Sequence, residues 1–537
     1  MKKKSFGIML DCSRNAVMKP EKVKEFAKML ADMGYNMLQL YTEDTYEIDG
    51  EPFFGYMRGR YTKDELKDID NYCTTIGIEL IPCIQTLRHL TQMAQWPVYR
   101  PLFDIQDILM VGDERVYTLI EKMFQTISEC FTSRRVNIGM DEAHHLGLGR
   151  YLDKHGYRKC TDILLEHLQR VKEIAEKYGF TLMMWSDMFF RPNNNGAYQY
   201  PAGEPKLPQE MIDLVPEGVE LIYWDYESKD KAHFDMMMDA HAKFTKNPTG
   251  FAGGIWIWSS FAPNNRYSIE HIEASMRSAL EHSADTVLYT MWGDKGKDCS
   301  FYGALPALFA AAQMYQGNFD MVDIAEKFQQ KYGYSFQEFV ELDLVNQTEE
   351  EPSHWHNPCR YLLYNDPFLG LFDYTVPGDL SARYAEAAQK IGASVNGRSY
   401  DYIFDFHHKL LKVMVRKCDL GNRIRKAYNS KTYAALQAIV NDDFPALDQD
   451  IRAMYEALRI IWNTENKPFG FEVQDQRFGG LLFRLQHCAQ RLQAYLDGTV
   501  EKIEELEETQ LEVHPGFTGH AVFHHDLHGT MITAGQF

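Results

Sequence analysis

From residue 6 to about residue 315 the chain alternates short apolar runs with segments whose apolar residues recur every three or four positions. Eight runs have the length and texture of buried strands: residues 6–10, 37–41, 79–84, 136–140, 181–185, 219–224, 254–258 and 286–291. Parallel strands covered on both faces read as continuous apolar runs of this kind. The segments between them have a helical period. Residues 20–33 open with proline and line Val23, Phe26, Ala27 and Leu30 along one stripe. Thr62-Lys-Asp-Glu65 has the form of a capping box ahead of Leu66, Ile69, Cys73 and Ile76. Residues 161–178 repeat the stripe with Leu164, Leu168, Val171 and Ile174. Eight alternations in about 300 residues predict an α/β fold, a (β/α)8 TIM barrel, with a doubly wound open sheet as the competing arrangement.

After residue 316 the strand-like runs stop. Long helical patterns cover residues 382–391, 402–425, 433–465 and 474–507. The expected organisation is a catalytic barrel over 1–316 and a mainly α-helical C-terminal region over 317–537. Residues 348–374, rich in proline, histidine and aromatics, read as a linker or docking segment. In the tail, His524, His525 and His528 read as solvated rather than ligating.

A barrel gathers its chemistry where strands end and the following loops begin. Those places hold Asp11 and Arg14, Glu43 and Asp44, Arg88 and His89, then Asp141, Glu142 and His144. Next come Trp185 and Asp187, Trp224 and Asp225, Trp256 and Trp258, and Trp292 and Asp294. Five of the eight tryptophans thus fall at the ends of strands five to eight, a clustering that scattered core residues do not produce. The adjacent acids Asp141-Glu142 repel each other, so their pairing costs free energy unless it is used.

Composition narrows the partners. Net charge is −20, which disfavours phosphate backbones and anionic lipid, so neither nucleic acid nor membrane is expected. Nine cysteines without a C-x-x-C pair suggest reduced thiols and a cytoplasmic protein. No apolar stretch follows Lys2-Lys-Lys4, so no signal peptide is expected. His144 and His145 beside the acids lack the spacing of a metal site, so no metal or cofactor is expected, and His144 reads as a partner that orients an acid.

Two acids, several aromatic walls and an arginine at a barrel mouth suit glycosidic bond hydrolysis. Glu142 is the candidate proton donor, and like-charge repulsion from Asp141 favours its protonated form. Retaining enzymes usually set two carboxyls about 5–5.5 Å apart across the sugar, which neighbours on one strand end do not easily achieve. A 2-acetamido sugar removes the difficulty, because its own carbonyl oxygen can attack C1 and form an oxazolinium ring. Such intramolecular attack can reach an effective molarity of about 10⁵ M or more. Asp141 would then hold the amide N–H and offset the positive charge developing there.

On these residues the first 315 positions or so resemble glycoside hydrolase family 20, the exo-acting β-N-acetylhexosaminidases. Asp11-Cys-Ser-Arg14 is similar to the family's first-strand D-x-[SA]-R, which implies that Arg14 grips hydroxyls of the terminal sugar. His89 follows strand three like the histidine of the family's P-G-H turn, and Gly139-Met-Asp-Glu142 resembles its G-x-D-E. Trp185 in Met-Trp-Ser-Asp, Trp224, and Trp292-Gly-Asp294 resemble the pocket tryptophans and the acid that binds a sugar hydroxyl. The strand-seven region departs from the pattern, carrying Trp256-Ile-Trp258 where Y-x-D is usual, and leaves Tyr223 and Tyr289 as candidates for the acetamido oxygen. The helical half resembles that of compact bacterial members. The resemblance implies an oligosaccharide with terminal β-linked GlcNAc or GalNAc, cleaved with retention, and leaves room for a homodimer. A metal-dependent barrel hydrolase and a non-catalytic carbohydrate-binding protein are the other readings.

Overall fold

The computed structural model describes residues 4–194, 200–201, 203–348 and 358–512. The chain divides into two compact units. The first takes Met1–Ile255, Ile269–Trp292 and Leu308–Asp320; the second takes Trp256–Ser268, Gly293–Ala307 and Met321–Phe537. The sequence suggested one boundary at 316; the segments Trp256–Ser268 and Gly293–Ala307, which precede it, group with the second unit.

The first unit is a closed barrel of eight parallel strands: β1 Ser5–Asp11, β2 Met37–Thr42, β3 Glu79–Ile84, β4 Arg135–Asn137, β5 Thr181–Trp185, β6 Glu220–Trp224, β7 Thr249–Gly254 and β8 Thr286–Met291. Each strand pairs with the next in sequence, and β1 closes the ring on β8 with Gly7 opposite Leu288. The helices Pro20–Met33, Lys63–Thr75, Glu114–Cys130 and Cys160–Lys177 pack in series, each beside its neighbour. The capping box forms as its residues predict: Glu65 N–H donates to Thr62 Oγ1 at 3.1 Å, and Thr62 N–H to Glu65 Oε2 at 2.8 Å.

Side chains alternate across a strand, so every second residue of each strand faces the barrel interior. At the N-terminal end Arg135 donates to Ser5 Oγ at 2.8 Å, to Thr286 Oγ1 at 2.9 Å and to Glu220 Oε2 at 3.1 Å. Two residues further on, Asn137 Nδ2 donates to Gln39 Oε1 at 3.4 Å. The strand ends there, and the next residues leave it in a turn.

Strand seven is a correction. The apolar run 254–258 suggested it, but the strand is Thr249–Gly254, and Trp256 and Trp258 lie beyond its end. The strand runs through glycines because its neighbours come close. A Cβ on Gly250 would lie 2.6 Å from Ile222 Cδ1, and one on Gly253 would lie 2.5 Å from Tyr289 Cε1 and 2.8 Å from His271 Nε2. Strand four is also shorter than the run 136–140 suggested, ending at Asn137.

The second unit is helical. Leu380–Ala393 packs on Asp401–Lys417, which packs on Phe444–Glu465, which packs on Glu472–Leu496. The pattern over 402–425 breaks into Asp401–Lys417 and Leu420–Asn429. The pattern over 433–465 is interrupted by a wide π turn at Ile439–Asp443, just ahead of Pro445, whose missing N–H removes the regular hydrogen bond there. The pattern over 474–507 stops at Leu496, with Gly498 left-handed, and a single turn Glu504–Glu507 follows. Part of the presumed linker is helix, Pro358–Tyr364. Residues 349–357 and the tail histidines His524, His525 and His528 lie outside the described residues.

Candidate active site

Past Asn137 the chain turns sharply. Gly139, Met140 and Glu142 have φ of 71°, 68° and 53°, a left-handed run that L residues adopt only under constraint. Gly139 is required here, since a Cβ would fall 2.1 Å from Gln85 Oε1. The turn frees the two acids from strand alternation and puts both within reach of the same histidine.

Asp141 is held at both oxygens. Gln85 Nε2 donates to Oδ1 at 3.0 Å, and His89 Nε2 lies 3.0 Å from Oδ2, an ion-pair approach. Gln85 Nε2 also lies 3.1 Å from the Tyr41 hydroxyl, which donates to Glu43 Oε1 at 3.0 Å. Burial presses the Asp141 carboxyl upward, but His89 and the Gln85 amide outweigh it, and the group rests well below the usual carboxylate range. Burial disfavours a charged His89, yet Asp141 and Glu142 outweigh that and lift the imidazole to about 9.

Glu142 lies 3.7 Å from His89 through Oε2, and Arg88 Nη1 reaches the same oxygen at 3.0 Å. Arg88 also bonds the Glu142 carbonyl and sits 3.6 Å from Asp107. The Glu142 N–H donates to Asp187 Oδ2 at 2.9 Å, and Trp224 Nε1 donates to Asp187 Oδ1 at 3.3 Å. Burial and then the charge of Asp141 push the Asp187 carboxyl far above its ordinary value, against the pull of the Glu142 N–H. Asp141 is paired with His89, and Asp187 is a further carboxyl that burial and the charge of Asp141 drive upward. His144 touches Glu142 through the backbone, its N–H reaching the Glu142 carbonyl at 2.6 Å.

Arg14 sits between two carboxylates, 3.3 Å from Asp11 and 3.5 Å from Glu43, with its guanidinium 5.5 Å from the Trp292 ring and 5.4 Å from Tyr41. Burial raises Glu43 while Arg14 and Arg58 oppose it. Trp292 meets Tyr41 edge-on at 4.8 Å, and Trp185, 1% exposed, lies 6.4 Å from Trp292. Trp224 stacks on Tyr226 at 5.2 Å, and Tyr226 lies 6.4 Å from Trp292.

The first unit therefore gathers Arg14, His89, Asp141, Glu142, Trp185, Trp224 and Trp292. Trp256, Trp258 and Asp294 belong to the second unit. There Trp256 and Trp258 stack on each other at 3.9 Å, and the Asp294 carbonyl accepts the Ser259 N–H at 3.2 Å. The two tyrosines suggested for the acetamido oxygen already have partners. Tyr223 donates to Asp225 at 2.9 Å, and the Tyr289 hydroxyl pairs with Ser275 Oγ at 2.9 Å. Three residues had no role in the sequence reading: Gln85, Asp187 and Tyr226. The signals were present, in Trp185-Ser-Asp187 and in Trp224-Asp-Tyr226, but Asp187 was named without a task and Tyr226 was not named.

Residues 6–251 match the model described as glycosyl hydrolase family 20, catalytic domain, and residues 335–523 match the glycoside hydrolase 20C C-terminal domain. Between them the two matches take in most of the chain. The chain belongs to glycoside hydrolase family 20. Hexosaminidase D of Bos taurus is 23% identical over 275 residues, covering 48% of this chain and 73% of the relative. Hexosaminidase D of Homo sapiens is 22% identical over 228 residues, covering 40% of this chain and 44% of the relative. Among solved structures, the family 20 exo-β-N-acetylglucosaminidase from Vibrio harveyi, in complex with N-acetylglucosamine, aligns with a TM-score of 0.47 and 15% identity, over 64% of this chain and 58% of that one. The β-N-acetylhexosaminidase from Bacteroides fragilis aligns with a TM-score of 0.46 and 18% identity, over 61% and 70%. The match to the human relative thus spans less than half of its length, and that to the Vibrio chain about three fifths. As a family 20 protein this chain is a glycoside hydrolase, and its paired acids stand on the turn that follows β4.

Proposed function

We propose that the chain is an exo-acting β-N-acetylhexosaminidase that removes terminal non-reducing β-linked GlcNAc or GalNAc through the sugar's own acetamido group. The observation that carries this reading is the pairing within one turn of an ionised carboxylate and a second acid. Asp141 is kept charged by His89 and Gln85, at 3.0 Å each, and Glu142 stands beside it. A permanently ionised carboxylate is unsuited to donating a proton. It suits holding an amide N–H and offsetting the positive charge that grows on the acetamido group as its oxygen attacks C1.

In this account Glu142 gives its proton to the glycosidic oxygen as the C1–O bond breaks, and the acetamido oxygen closes on C1. Water then attacks C1 from the vacated side, Glu142 takes its proton, and the ring opens with retention. Arg88 orients the Glu142 carboxyl. Arg14, braced by Asp11 and Glu43, binds sugar hydroxyls, and Trp185, Trp224 and Trp292 wall the sugar. Tyr226, stacked on Trp224 and close to Trp292, is assigned to the acetamido oxygen. Oligosaccharide substrates accompany the reading, as does an intracellular setting, which nine cysteines without paired spacing support. The test is Glu142→Gln on a 4-nitrophenyl β-GlcNAc glycoside. A fall in kcat of about 10²–10⁴ is expected, and undiminished turnover contradicts the assignment.

A further inference from the structure

The loop after β3 carries a small hairpin that none of the chemistry above uses. Its arms are Phe103–Ile105 and Ile108–Leu109, paired antiparallel, with Gln106 and Asp107 at the tip. Gln106 has a φ of 50°, the left-handed backbone that a tight hairpin turn demands. The hairpin is fixed to the end of the strand. Leu109 N–H donates to the Leu87 carbonyl at 2.8 Å, and Thr91 Oγ1 donates to Asp107 Oδ2 at 3.1 Å. Asp104, 5% exposed, accepts the backbone N–H of Gly147 at 3.0 Å and that of Tyr151 at 2.6 Å. A Cβ on Gly149 would lie 2.6 Å from the Asp104 carbonyl oxygen. The hairpin therefore also holds the loop that leaves the turn bearing Glu142.

Arg88 spans the hairpin tip and the acid. Its Nη1 lies 3.0 Å from Glu142 Oε2, and its Nε lies 3.6 Å from Asp107 Oδ1. His89 follows with a φ of 61°. Neighbours point apart on a regular strand, but this left-handed residue bends the chain, and both side chains approach Glu142 Oε2, His89 at 3.7 Å. One guanidinium thus faces two carboxyl groups and divides its charge between them. The other charged groups around Glu142 are Asp141, next to it in the chain, and Asp187 and Glu227, whose carboxyls its charge pushes upward. A cation held against a carboxyl favours the ionised form, which has no proton to give. An anion that competes for the same cation weakens that effect.

We propose that Asp107 is a positioning residue that acts through Arg88: by taking a share of the guanidinium it sets the pH up to which Glu142 keeps its proton for the leaving oxygen. This rests on the reading of Glu142 as the acid. Arg88 stands where the family's P-G-H turn has glycine, a residue that brings no charge, so the cation needs a counter-ion that the turn itself does not supply.

The test is the pH profile of kcat/KM for release of GlcNAc from N,N′-diacetylchitobiose, whose sugar leaving group needs the proton. The alkaline limb reports the acid in the free enzyme. His89 titrates at about 9, and its own limb is recognised by its loss in His89→Gln; the limb that remains is the one followed. Arg88→Met removes the cation and should move that limb to higher pH by about one unit, with a fall in kcat of about ten-fold from lost orientation. Asp107→Asn keeps an acceptor for Thr91, leaves the guanidinium to Glu142 alone, and should move the limb to lower pH by about half a unit. Asp107→Ser, which also removes the charge, stands in if Asp107→Asn does not fold. Added to Arg88→Met, the Asp107 change should move nothing, because its intermediary is gone. Arg88→Lys keeps the charge and should return the limb close to that of the wild type. Limbs that stay in place in the single variants, or an Asp107 shift of equal size with and without Arg88, overturn the proposal and leave the glycosidase reading intact. Undiminished turnover by Glu142→Gln overturns the acid assignment first.

Discussion

The backbone N–H of Glu142 donates to Asp187 Oδ2 at 2.9 Å, while the other oxygen of Asp187 accepts the Trp224 indole N–H at 3.3 Å. One buried carboxyl thus ties the strained turn that bears the proposed acid to a wall of the sugar site. Asp187→Asn keeps the volume but turns one acceptor into a donor, so either Glu142 or Trp224 loses its bond. A fall in kcat of about ten- to a hundred-fold is expected, with a smaller change in KM. Steady-state kinetics with a soluble, folded variant checks it, and equal loss of kcat/KM by KM alone contradicts the positioning role.

His89 is lifted to about 9 by Asp141 and Glu142, against burial, from an ordinary value of about 6.5. A cation whose folded pKa is raised contributes stability that is whole below the unfolded value and is lost as pH rises through the folded one. The wild type should therefore lose on the order of 1–3 kcal/mol between about pH 6.5 and 9, and His89→Gln should lack that slope. Urea melts from pH 6 to 10 measure it. Parallel curves for the two proteins contradict the ion pair. Asp141 acts at the other end: its folded pKa is depressed, so its share stands above the unfolded value and is lost in acid.

Tyr226 is 8% exposed, lies between Trp224 and Trp292, and has its hydroxyl hydrogen-bonded to the side chains of Trp292 and Thr290. Tyr226→Phe removes one hydroxyl and keeps the packing. It should lower kcat on a 2-acetamido substrate by about ten- to a hundred-fold. The same change at Tyr223 should lower stability instead, because Asp225 loses a donor. If Tyr226→Phe is as active as wild type, the acetamido oxygen is held by another group.

Gly253 in β7 faces Tyr289 and His271 so closely that a methyl group has no room. Both neighbours are buried rings, and His271 is fixed through both nitrogens, to Ser228 O at 2.7 Å and Gly254 N at 3.1 Å. Gly253→Ala should cost about 1–3 kcal/mol, read as a lower urea midpoint with an unchanged slope.

Seven of the barrel strands were legible because their runs are apolar and end on polar residues. β7 was not, because Thr249-Gly-Phe-Ala-Gly-Gly254 reads as a breaker, while the Trp256-Ile-Trp258 run beside it has a strand's texture. What permits that strand is the crowding from β6 and β8, a tertiary fact that no local pattern carries. Asp141, Glu142, Arg14 and His89 were legible from their places after strands. Asp187 was named at a strand end but given no task, since its importance comes from two donors that converge only in the fold. Gln85 was hidden for the same reason: it is an interior residue of ordinary type whose amide happens to meet Asp141.

The central claim is that the substrate's acetamido group supplies the attacking atom. The direct measurement is kcat/KM for 4-nitrophenyl β-N-acetylglucosaminide against 4-nitrophenyl β-glucoside with the same protein. The account predicts a preference of at least about 10³ for the acetamido sugar, as expected when an intramolecular nucleophile of high effective molarity is removed. Comparable rates on the two glycosides would contradict it and point to a nucleophile belonging to the protein.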